Sequence, residues 1–300
     1  MLRNDDGQVI RLEDYRPTDF AIHHVEILAE LHDGASRIRC DITFERRAET
    51  PANAPLVLDG DELDLAGLWL GPDALAPDRF DATPDRLLVR DLPAKGRFTL
   101  RIETRLVPEK NTQLMGLYRS NGVWCTQCEA EGFRRITYFL DRPDVLATYR
   151  VRLEADRRAA PILLANGNPT ETGELADGRH YSVWDDPHPK PSYLFALVAG
   201  DLDVLTDRFT TASGRAVNLA IYTEKGLAPR ASYAMDALKR SMVWDERRFG
   251  LEYDLDVFNI VAISDFNMGA MENKGLNVFN HKYVLLDPNT ATDADYAGVE

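Results

Sequence analysis

The stretch from Asn267 to Gly275 concentrates residue types that could bind the end of a peptide. Gly269 and Gly275 lie on either side of Glu272, after an apolar run that predicts a buried strand. Because glycine has no side chain, another backbone can approach closely, and an extended peptide could lie along this strand edge. The Glu272 carboxylate would then be available to a cationic end group. On spacing alone, an ordinary loop with a solvated Glu272 is the simpler interpretation.

Cys125 and Cys128 have the C-x-x-C spacing of a redox pair or of half a zinc site. A zinc site needs two more ligands, and the sequence has neither a second C-x-x-C nor an H-E-x-x-H pair among its six histidines. A thioredoxin-like pair is expected in a βαβ unit, which this strand-rich region lacks. P-loop, G-x-G-x-x-G and G-x-S-x-G motifs are also absent. We therefore do not expect metal or redox chemistry at these cysteines.

The first part of the chain predicts β-structure, because apolar and polar residues alternate in several runs, as in half-buried antiparallel strands. The apolar positions are Val25, Ile27, Ala29 and Leu31; Ile38, Cys40, Ile42 and Phe44; Phe98, Leu100 and Ile102; and Tyr149, Val151, Leu153 and Ala155. Turn sequences such as Asp33-Gly34 and Asn166-Gly167-Asn168-Pro169 separate the runs. We predict a sandwich or an open, saddle-like sheet.

A Pro-rich passage, Pro187 to Pro191, precedes an apolar run that ends at Gly200. A length of 300 residues favours two domains. We therefore place a boundary near Asp201, with one domain over residues 1–201 and a second over residues 202–300.

The second domain is predicted to mix strands and helices. Val217–Tyr222 has the pattern of a strand, and the mostly apolar Asp256–Ile263 that of a buried strand. Between them, Pro229–Phe249 has helical spacing, with Pro229 in the first turn and Gly250 as the stop. The predicted apolar stripe of this helix consists of Ala231, Met235, Leu238, Met242 and Phe249.

Thr292 and Asp295 form a capping-box pattern that begins another helix, with Asp in place of the usual Glu or Gln. Only about two turns separate this start from Glu300, and so short a helix is marginal unless it packs or continues. We therefore expect the helix to continue beyond residue 300.

Composition restricts the class of protein. The chain has 35 basic and 49 acidic residues and a net charge of -14, which argues against a generic nucleic-acid binder. No stretch approaches the ~20 apolar residues of a membrane span. Residues Met1–Asp6 lack the apolar region of a secretory signal, and three cysteines are too few and odd in number for a disulfide framework. A cytoplasmic setting is the resulting expectation.

The segment Gly269-Ala270-Met271-Glu272-Asn273 matches the exopeptidase signature, the GAMEN motif, of the zinc-dependent gluzincin aminopeptidases. Further segments resemble the same family, and their sequences are most similar to its bacterial aminopeptidase N branch. They are Cys125–Arg134, Tyr138–Asp144, Tyr193–Gly200 and Lys282–Leu285. The resemblance covers nearly the whole chain and is weakest before Gly96. It implies a mainly β fold with some α: an antiparallel β-sandwich or saddle domain, then the first, β-rich part of a thermolysin-like catalytic domain.

The resemblance also implies site residues. In that family carboxylates bind the free α-ammonium of the substrate, a role that falls here to Glu272 and Glu129, with Gln127 as a neighbouring hydrogen-bond partner. Hydrogen bonds from an ammonium to a carboxylate are roughly twice as strong as neutral ones. The expected substrate-binding residues are Gln127, Glu129, Met268, Gly269, Ala270, Met271, Glu272 and Asn273. The Gly269-Ala270 backbone is expected to bind the substrate chain, and Met268 to line the pocket for the first side chain.

The implied activity is that of a zinc aminopeptidase of the membrane alanyl aminopeptidase type, which releases N-terminal residues from peptides by zinc-activated water. The family binds its one zinc ion with an H-E-x-x-H motif and a distant Glu, none of which lies in the chain. We therefore expect the ligands beyond residue 300, assign no catalytic residue or metal ligand, and predict that these 300 residues alone are inactive.

Two alternatives stay open. One is a non-catalytic protein, a scaffold or a binder of peptide termini, that keeps the amine-binding residues without a catalytic half. The other, a leukotriene-hydrolase-like bifunctional enzyme, fits the segments around Cys128-Glu129 less well. The coding sequence after residue 300 would distinguish an enzyme from a binder. The expected partners are peptides with a free N-terminus, not nucleic acid or membrane, and the expected state is a monomer.

Overall fold

A computed structural model describes residues 11–300. The expectation that Met1–Asp6 carries no secretory signal therefore lies outside the described residues. The strands before Asp201 are β1 (Phe20–Glu30), β2 (Ser36–Arg46), β3 (Leu56–Asp59), β4 (Asp64–Leu70), β5 (Asp73–Ala74), β6 (Phe80–Thr83), β7 (Arg86–Val89), β8 (Arg97–Leu106), β9 (Gly116–Ser120), β10 (Val123–Gln127), β11 (Ala147–Asp156), β12 (Ile162–Ala165), β13 (Asn168–Glu174), β14 (Arg179–Lys190) and β15 (Leu197–Gly200).

The later elements are fewer. They are β16 (Asp203–Thr210), β17 (Ala216–Thr223), α1 (Ser232–Phe249), β18 (Val257–Ile263), β19 (Ala270–Met271), β20 (Leu276–Asn280) and α2 (Asp293–Val299). The prediction of a mainly β fold with some α is confirmed.

An eight-stranded sheet, in the order β13-β14-β11-β1-β2-β8-β4-β5, forms the largest layer. The alternating runs of the sequence are its adjacent central strands β11, β1, β2 and β8, and all their predicted apolar positions are buried. A three-stranded sheet (β3-β7-β6) and a four-stranded sheet (β12-β15-β10-β9) complete this part of the chain. One hydrophobic cluster joins residues of all three sheets. The strands predicted from alternating apolar and polar residues are therefore confirmed.

Two features of the large sheet were not predicted. β1 and β11 pair in parallel, with Val25 beside Tyr149, whereas alternation had suggested antiparallel strands throughout. Pro187 and Pro189 lie inside β14, at the point where the register with β11 shifts. A shift of this kind is where a strand tolerates proline, because the missing N–H interrupts the ladder there.

The strands after Asp201 form one five-stranded sheet, in the order β16-β17-β18-β20-β19. β18 pairs in parallel with both β17 and β20, so it is buried at the centre as its apolar sequence predicted. A second hydrophobic cluster contains residues of this sheet, such as Leu219 and Ile260, with Met235 of α1. The predicted strand at Val217–Tyr222 and the predicted helix are confirmed.

The ends of the helices follow their capping signals. Gly250 ends α1 with a φ of 67°. Thr292 Oγ1 accepts from the Asp295 N–H and the Asp295 carboxylate accepts from the Thr292 N–H, so the predicted capping box is present. The prediction that Phe249 belongs to the buried stripe of α1 is wrong, because Phe249 is 62% exposed and packs edge-on against the exposed Trp244. No helix within residues 11–300 has the length and apolar character needed to cross a bilayer.

We propose that the boundary between the two domains lies near Asp201, giving domains over residues 1–201 and 202–300. The proposal rests on the sheets: the five-stranded sheet contains only strands that follow Asp201, and the other sheets described contain only strands that precede it.

Candidate functional site

The GAMEN segment forms a short edge strand. After β18, residues 264–269 lead into β19, in which Ala270 pairs with Phe279 and Met271 with Val278 of β20. The Asn280 N–H donates to the Gly269 carbonyl at 3.0 Å. Because β19 is the last strand of the five-stranded sheet, its other edge has no strand partner among the described residues.

Alternation along this segment decides which side chains face outward. Met271 is fully buried in the main hydrophobic cluster, and Asn273 is only 1% exposed. Ala270 and Glu272 point the opposite way and are exposed. Since a strand alternates its side chains, the two buried residues on either side hold the Glu272 carboxylate toward solvent.

The second predicted segment begins where β10 ends. Gln127 is the last residue of that strand and is 1% exposed, Cys128 is buried, and Glu129 is half-buried. The Gln127 Nε2 donates to the Glu129 carbonyl at 3.3 Å, and the Glu129-Ala130 peptide bond is cis. The Gly132 N–H closes the turn by donating to the Cys128 carbonyl at 2.8 Å.

The Gly132 position requires glycine for a packing reason. A Cβ there would overlap the Gln127 carbonyl and lie 2.9 Å from the Cys128 Cα. The backbone at Gly132, with φ of -88°, is itself open to other residues. The close approach of the chain to the end of β10 therefore excludes a side chain.

Polar contacts connect the loop before β19 to β9, the strand that pairs with β10. The Tyr118 hydroxyl donates to the Asp265 carbonyl and the Ser120 hydroxyl to the Asp265 carboxylate, both at 2.9 Å. The Asn267 Nδ2 donates to the Gln113 carbonyl at 2.8 Å. The structure thus brings the loop of the GAMEN segment beside the β9–β10 hairpin. The sequence had no signal for these contacts, because each joins residues more than a hundred positions apart.

The two carboxylates are not used by the fold. Among residues 11–300, neither the Glu129 nor the Glu272 side chain has a hydrogen-bond or ion-pair partner. Neighbouring charges, in contrast, are paired: Glu131 contacts Arg134 at 3.3 Å, and Lys274 contacts Asp254 at 2.7 Å.

Two buried amide oxygens share this property. The Gln127 Oε1 and the Asn273 Oδ1 have no hydrogen-bond donor in the described part of the chain. Buried polar atoms in native proteins are nearly always satisfied, so these two oxygens are free to accept from a donor that the described residues do not supply. Met268, 38% exposed, precedes Gly269 on the same loop.

The described residues do not fit a metal site. Cys40, Cys125 and Cys128 are free and buried, and burial raises the pKa of the Cys125 thiol to about 12. Residues 11–300 contain no group of three or more His, Cys, Asp or Glu side chains that could hold a metal ion. The candidate site therefore consists of carboxylates, amide oxygens and an open strand edge.

Comparison with known proteins places the chain in a family. Residues 76–194 match the "Peptidase M1 N-terminal domain" and residues 233–300 the "Peptidase family M1 domain". Aminopeptidase N of Caulobacter vibrioides is 52% identical over 299 residues, which is 100% of this chain and 34% of that protein. Aminopeptidase N of Escherichia coli is 50% identical over 96% of this chain and 32% of that protein.

A solved structure of another aminopeptidase has a similar fold. The crystal structure of Legionella pneumophila aminopeptidase A in complex with aspartic acid has a TM-score of 0.91 and 34% identity, over 97% of this chain and 34% of that chain. The chain thus spans about a third of the length of the relatives it matches. With two M1 domain models matched in order and bacterial aminopeptidase N sequences identical at half of the aligned positions, the chain belongs to the peptidase M1 family.

Proposed function

We propose that the protein is a metallo-aminopeptidase that releases N-terminal residues from peptides, and that Gln127, Glu129 and Glu272, here termed the amine anchor, bind the substrate's α-ammonium. The observation that carries this proposal is a pair of carboxylates without partners among residues 11–300. One follows β10, and the other follows a loop whose Asp265 and Asn267 contact Ser120 and Gln113 of the β9–β10 region. Family membership and the names of the relatives support the same activity.

The chemistry of the amine anchor explains why a free peptide N-terminus would be bound in preference to an acetylated one. Only a chain terminus carries an ammonium with three donors, which matches two carboxylates and the unsatisfied Gln127 Oε1. An acetylated N-terminus has no charge and one donor, so it would leave the carboxylates unpaired. Once a bound peptide shields the carboxylates from water, leaving them unsatisfied costs several kcal/mol, on the order of 1000-fold in affinity.

The open edge of β19 is proposed to bind the substrate backbone. An extended peptide that adds to a sheet edge gains main-chain hydrogen bonds without regard to sequence. Gly269 and Ala270 would make these bonds beside the anchor, and Met271 and Asn273 would hold the segment in register from the buried face. Met268 would contact the first side chain, where its flexible thioether accommodates several residue types.

The zinc ion expected for this family is proposed to be held from outside the described residues, since residues 11–300 offer no ligand set. When bound, zinc supplies an activated water for hydrolysis. The described residues would hold the peptide end and exclude internal peptide bonds. The 300-residue chain alone is proposed to be inactive, and the positions of the ligands after residue 300 stay a prediction. So do the membrane alanyl type, the cytoplasmic location, the monomeric state and the absence of nucleic-acid and membrane partners.

The test uses the protein expressed from its complete reading frame. We expect zinc-dependent turnover of alanyl anilide, at least 100-fold weaker turnover of its N-acetyl derivative, and no turnover by residues 1–300 with added zinc. Binding of a free N-terminus without turnover by the complete protein would favour the non-catalytic alternative. Turnover by residues 1–300 would contradict the proposed division of roles.

A further inference from the structure

The turn Asn166-Gly167-Asn168 joins the first domain to the GAMEN segment. Asn166 follows β12 directly and is buried. Its Oδ1 accepts from the Ala196 N–H at 2.7 Å, and its Nδ2 donates at 3.0 Å to both the Leu194 and the Lys274 carbonyls. The side chain is thus fully bonded, and one of its bonds reaches the residue two positions after Glu272.

The backbones of the two segments also touch. A Cβ at Gly275 would lie 3.0 Å from the Gly167 nitrogen, so these glycines pack main chain against main chain. Gly167 has a φ of 86°, and a Cβ there would overlap the Asp185 carbonyl. Both positions therefore exclude side chains. The Lys274-Gly275 backbone can approach the turn this closely because residues 167 and 275 are both glycine.

The same turn belongs to the sheet that carries the other half of the amine anchor. β12 pairs with β15, and β15 pairs with β10, which ends at Gln127. Thr126 strengthens this frame, because its hydroxyl oxygen accepts from the Leu197 N–H at 2.9 Å. Gln127 thus ends one strand of a sheet and Glu129 follows it, while Asn166 follows another strand of the same sheet and bonds the chain beyond Glu272.

We propose that Asn166 is a positioning residue that sets the spacing between Glu272 and Glu129. The assignment of the amine anchor itself rests on the proposed function. Without the Asn166 amide, the Lys274 carbonyl loses its buried donor, and the segment from Glu272 to Gly275 loses one of the contacts that hold it against the first domain. A displacement of about an ångström in a bound substrate costs up to about 100-fold in rate.

Asn168 offers a matched control within the same turn. Its Oδ1 accepts from the Asp256 N–H at 2.8 Å and its Nδ2 donates to the Asp256 carboxylate at 3.3 Å. These bonds also join the two domains, but they reach the start of β18 and not the GAMEN segment. Asn168→Ala therefore reports what the loss of inter-domain hydrogen bonds does by itself.

The first readout is amide hydrogen exchange in the complete protein, which requires no activity. We expect Asn166→Ala to accelerate exchange at residues 272–276 by at least tenfold and Asn168→Ala to leave it unchanged. If Asn166→Ala fails to fold, Asn166→Asp serves instead, because it keeps the oxygen that accepts from the Ala196 N–H and removes the Nδ2 donor to the Lys274 carbonyl. Unchanged exchange at residues 272–276 in the folded variant would overturn the proposal.

The second readout is a double-mutant cycle of Asn166→Ala and Glu272→Gln, followed through KM for an aminoacyl anilide. We expect Asn166→Ala to raise KM about tenfold in the wild-type background and less than twofold in the Glu272→Gln background, because it acts through Glu272. Equal effects in both backgrounds would show a purely structural residue and contradict the proposal. If exchange changes as expected but Glu272→Gln alone leaves KM unaltered, Asn166 does position the segment and the proposed function is what fails.

Discussion

The Gln127 side-chain amide donates to the Glu129 carbonyl at 3.3 Å, so the last residue of β10 fixes the conformation of the residue that supplies one carboxylate of the amine anchor. The same amide leaves its oxygen without a donor. One buried side chain thus shapes the turn with its N–H and keeps an acceptor beside Glu129. The substrate ammonium is the proposed donor for that acceptor.

Removal of the Glu129 charge is predicted to weaken catalysis specifically. We expect Glu129→Gln to lower kcat/KM for aminoacyl anilides about 10- to 100-fold, the value of one charge-assisted hydrogen bond. The control is Glu131→Gln, because Glu131 is exposed, lies two residues away and pairs with Arg134. A surface ion pair of this kind is worth at most about 1 kcal/mol, and kcat/KM should not change. Equal losses in the two variants would contradict a specific role for Glu129.

Met268→Ala is predicted to change substrate preference. Because Met268 is proposed to contact the first side chain, the order of kcat/KM among alanyl, leucyl, phenylalanyl and lysyl anilides should change. Leu251→Ala, at an exposed apolar residue just after α1, provides the comparison and should leave that order unaltered. An unchanged ranking in Met268→Ala would show that Met268 does not line this pocket.

Gly132→Ala is predicted to destabilise the protein by about 1–3 kcal/mol, because its Cβ would overlap the end of β10 and force the chain apart. Gly298→Ala is the control, since Gly298 lies in α2 with nothing within 4 Å of an added Cβ. That variant should be neutral or slightly more stable, because alanine favours a helix. Urea denaturation measures both free energies of unfolding, and equal values would refute the packing argument.

Lys190 is predicted to make stability depend on pH. It is buried 3.0 Å from Asp186 and 3.7 Å above the Tyr149 ring, and burial lowers its pKa to about 8. In the unfolded chain the lysine has a pKa near 10.5 and therefore keeps its proton to a higher pH. The unfolded state therefore binds more protons between pH 8 and 10.5, and this group raises the free energy of unfolding as pH increases through that interval.

The measurement compares the wild type with the double variant Lys190→Met/Asp186→Asn, which replaces the buried pair by uncharged side chains of similar size. The difference in free energy of unfolding, wild type minus variant, should grow from pH 8 to 10.5. A constant difference would show that the folded lysine keeps its usual pKa, and a shrinking one that its pKa is raised; either result would contradict the prediction.

Local patterns predicted much of the fold. Alternation identified the central strands of the large sheet, and Gly250, Thr292 and Asp295 marked helix ends correctly. The parallel pairing of β1 with β11 lay beyond such patterns, because a period of two is the same for either strand direction. The exposure of Phe249 was missed because helical spacing does not show where packing against the sheet stops.

The candidate site was predictable only through resemblance. Spacing alone favoured a plain loop around Glu272, since nothing in the sequence relates it to Gln127 and Glu129. The turn at Asn166 was predicted as a turn, but its bond to Lys274 joins residues 108 positions apart. Such contacts are set by how whole sheets pack, which local sequence does not specify.

The most direct test of the amine anchor is the ratio of kcat/KM for alanyl anilide to that for N-acetyl-alanyl anilide, in the complete protein and its Glu272→Gln variant. Glu272 has no protein partner among the described residues, so the substitution should leave folding intact. The account predicts that the ratio falls at least tenfold, chiefly through a rise in KM for the free amine. A ratio unchanged from the wild type, in a folded and zinc-loaded variant, would contradict it.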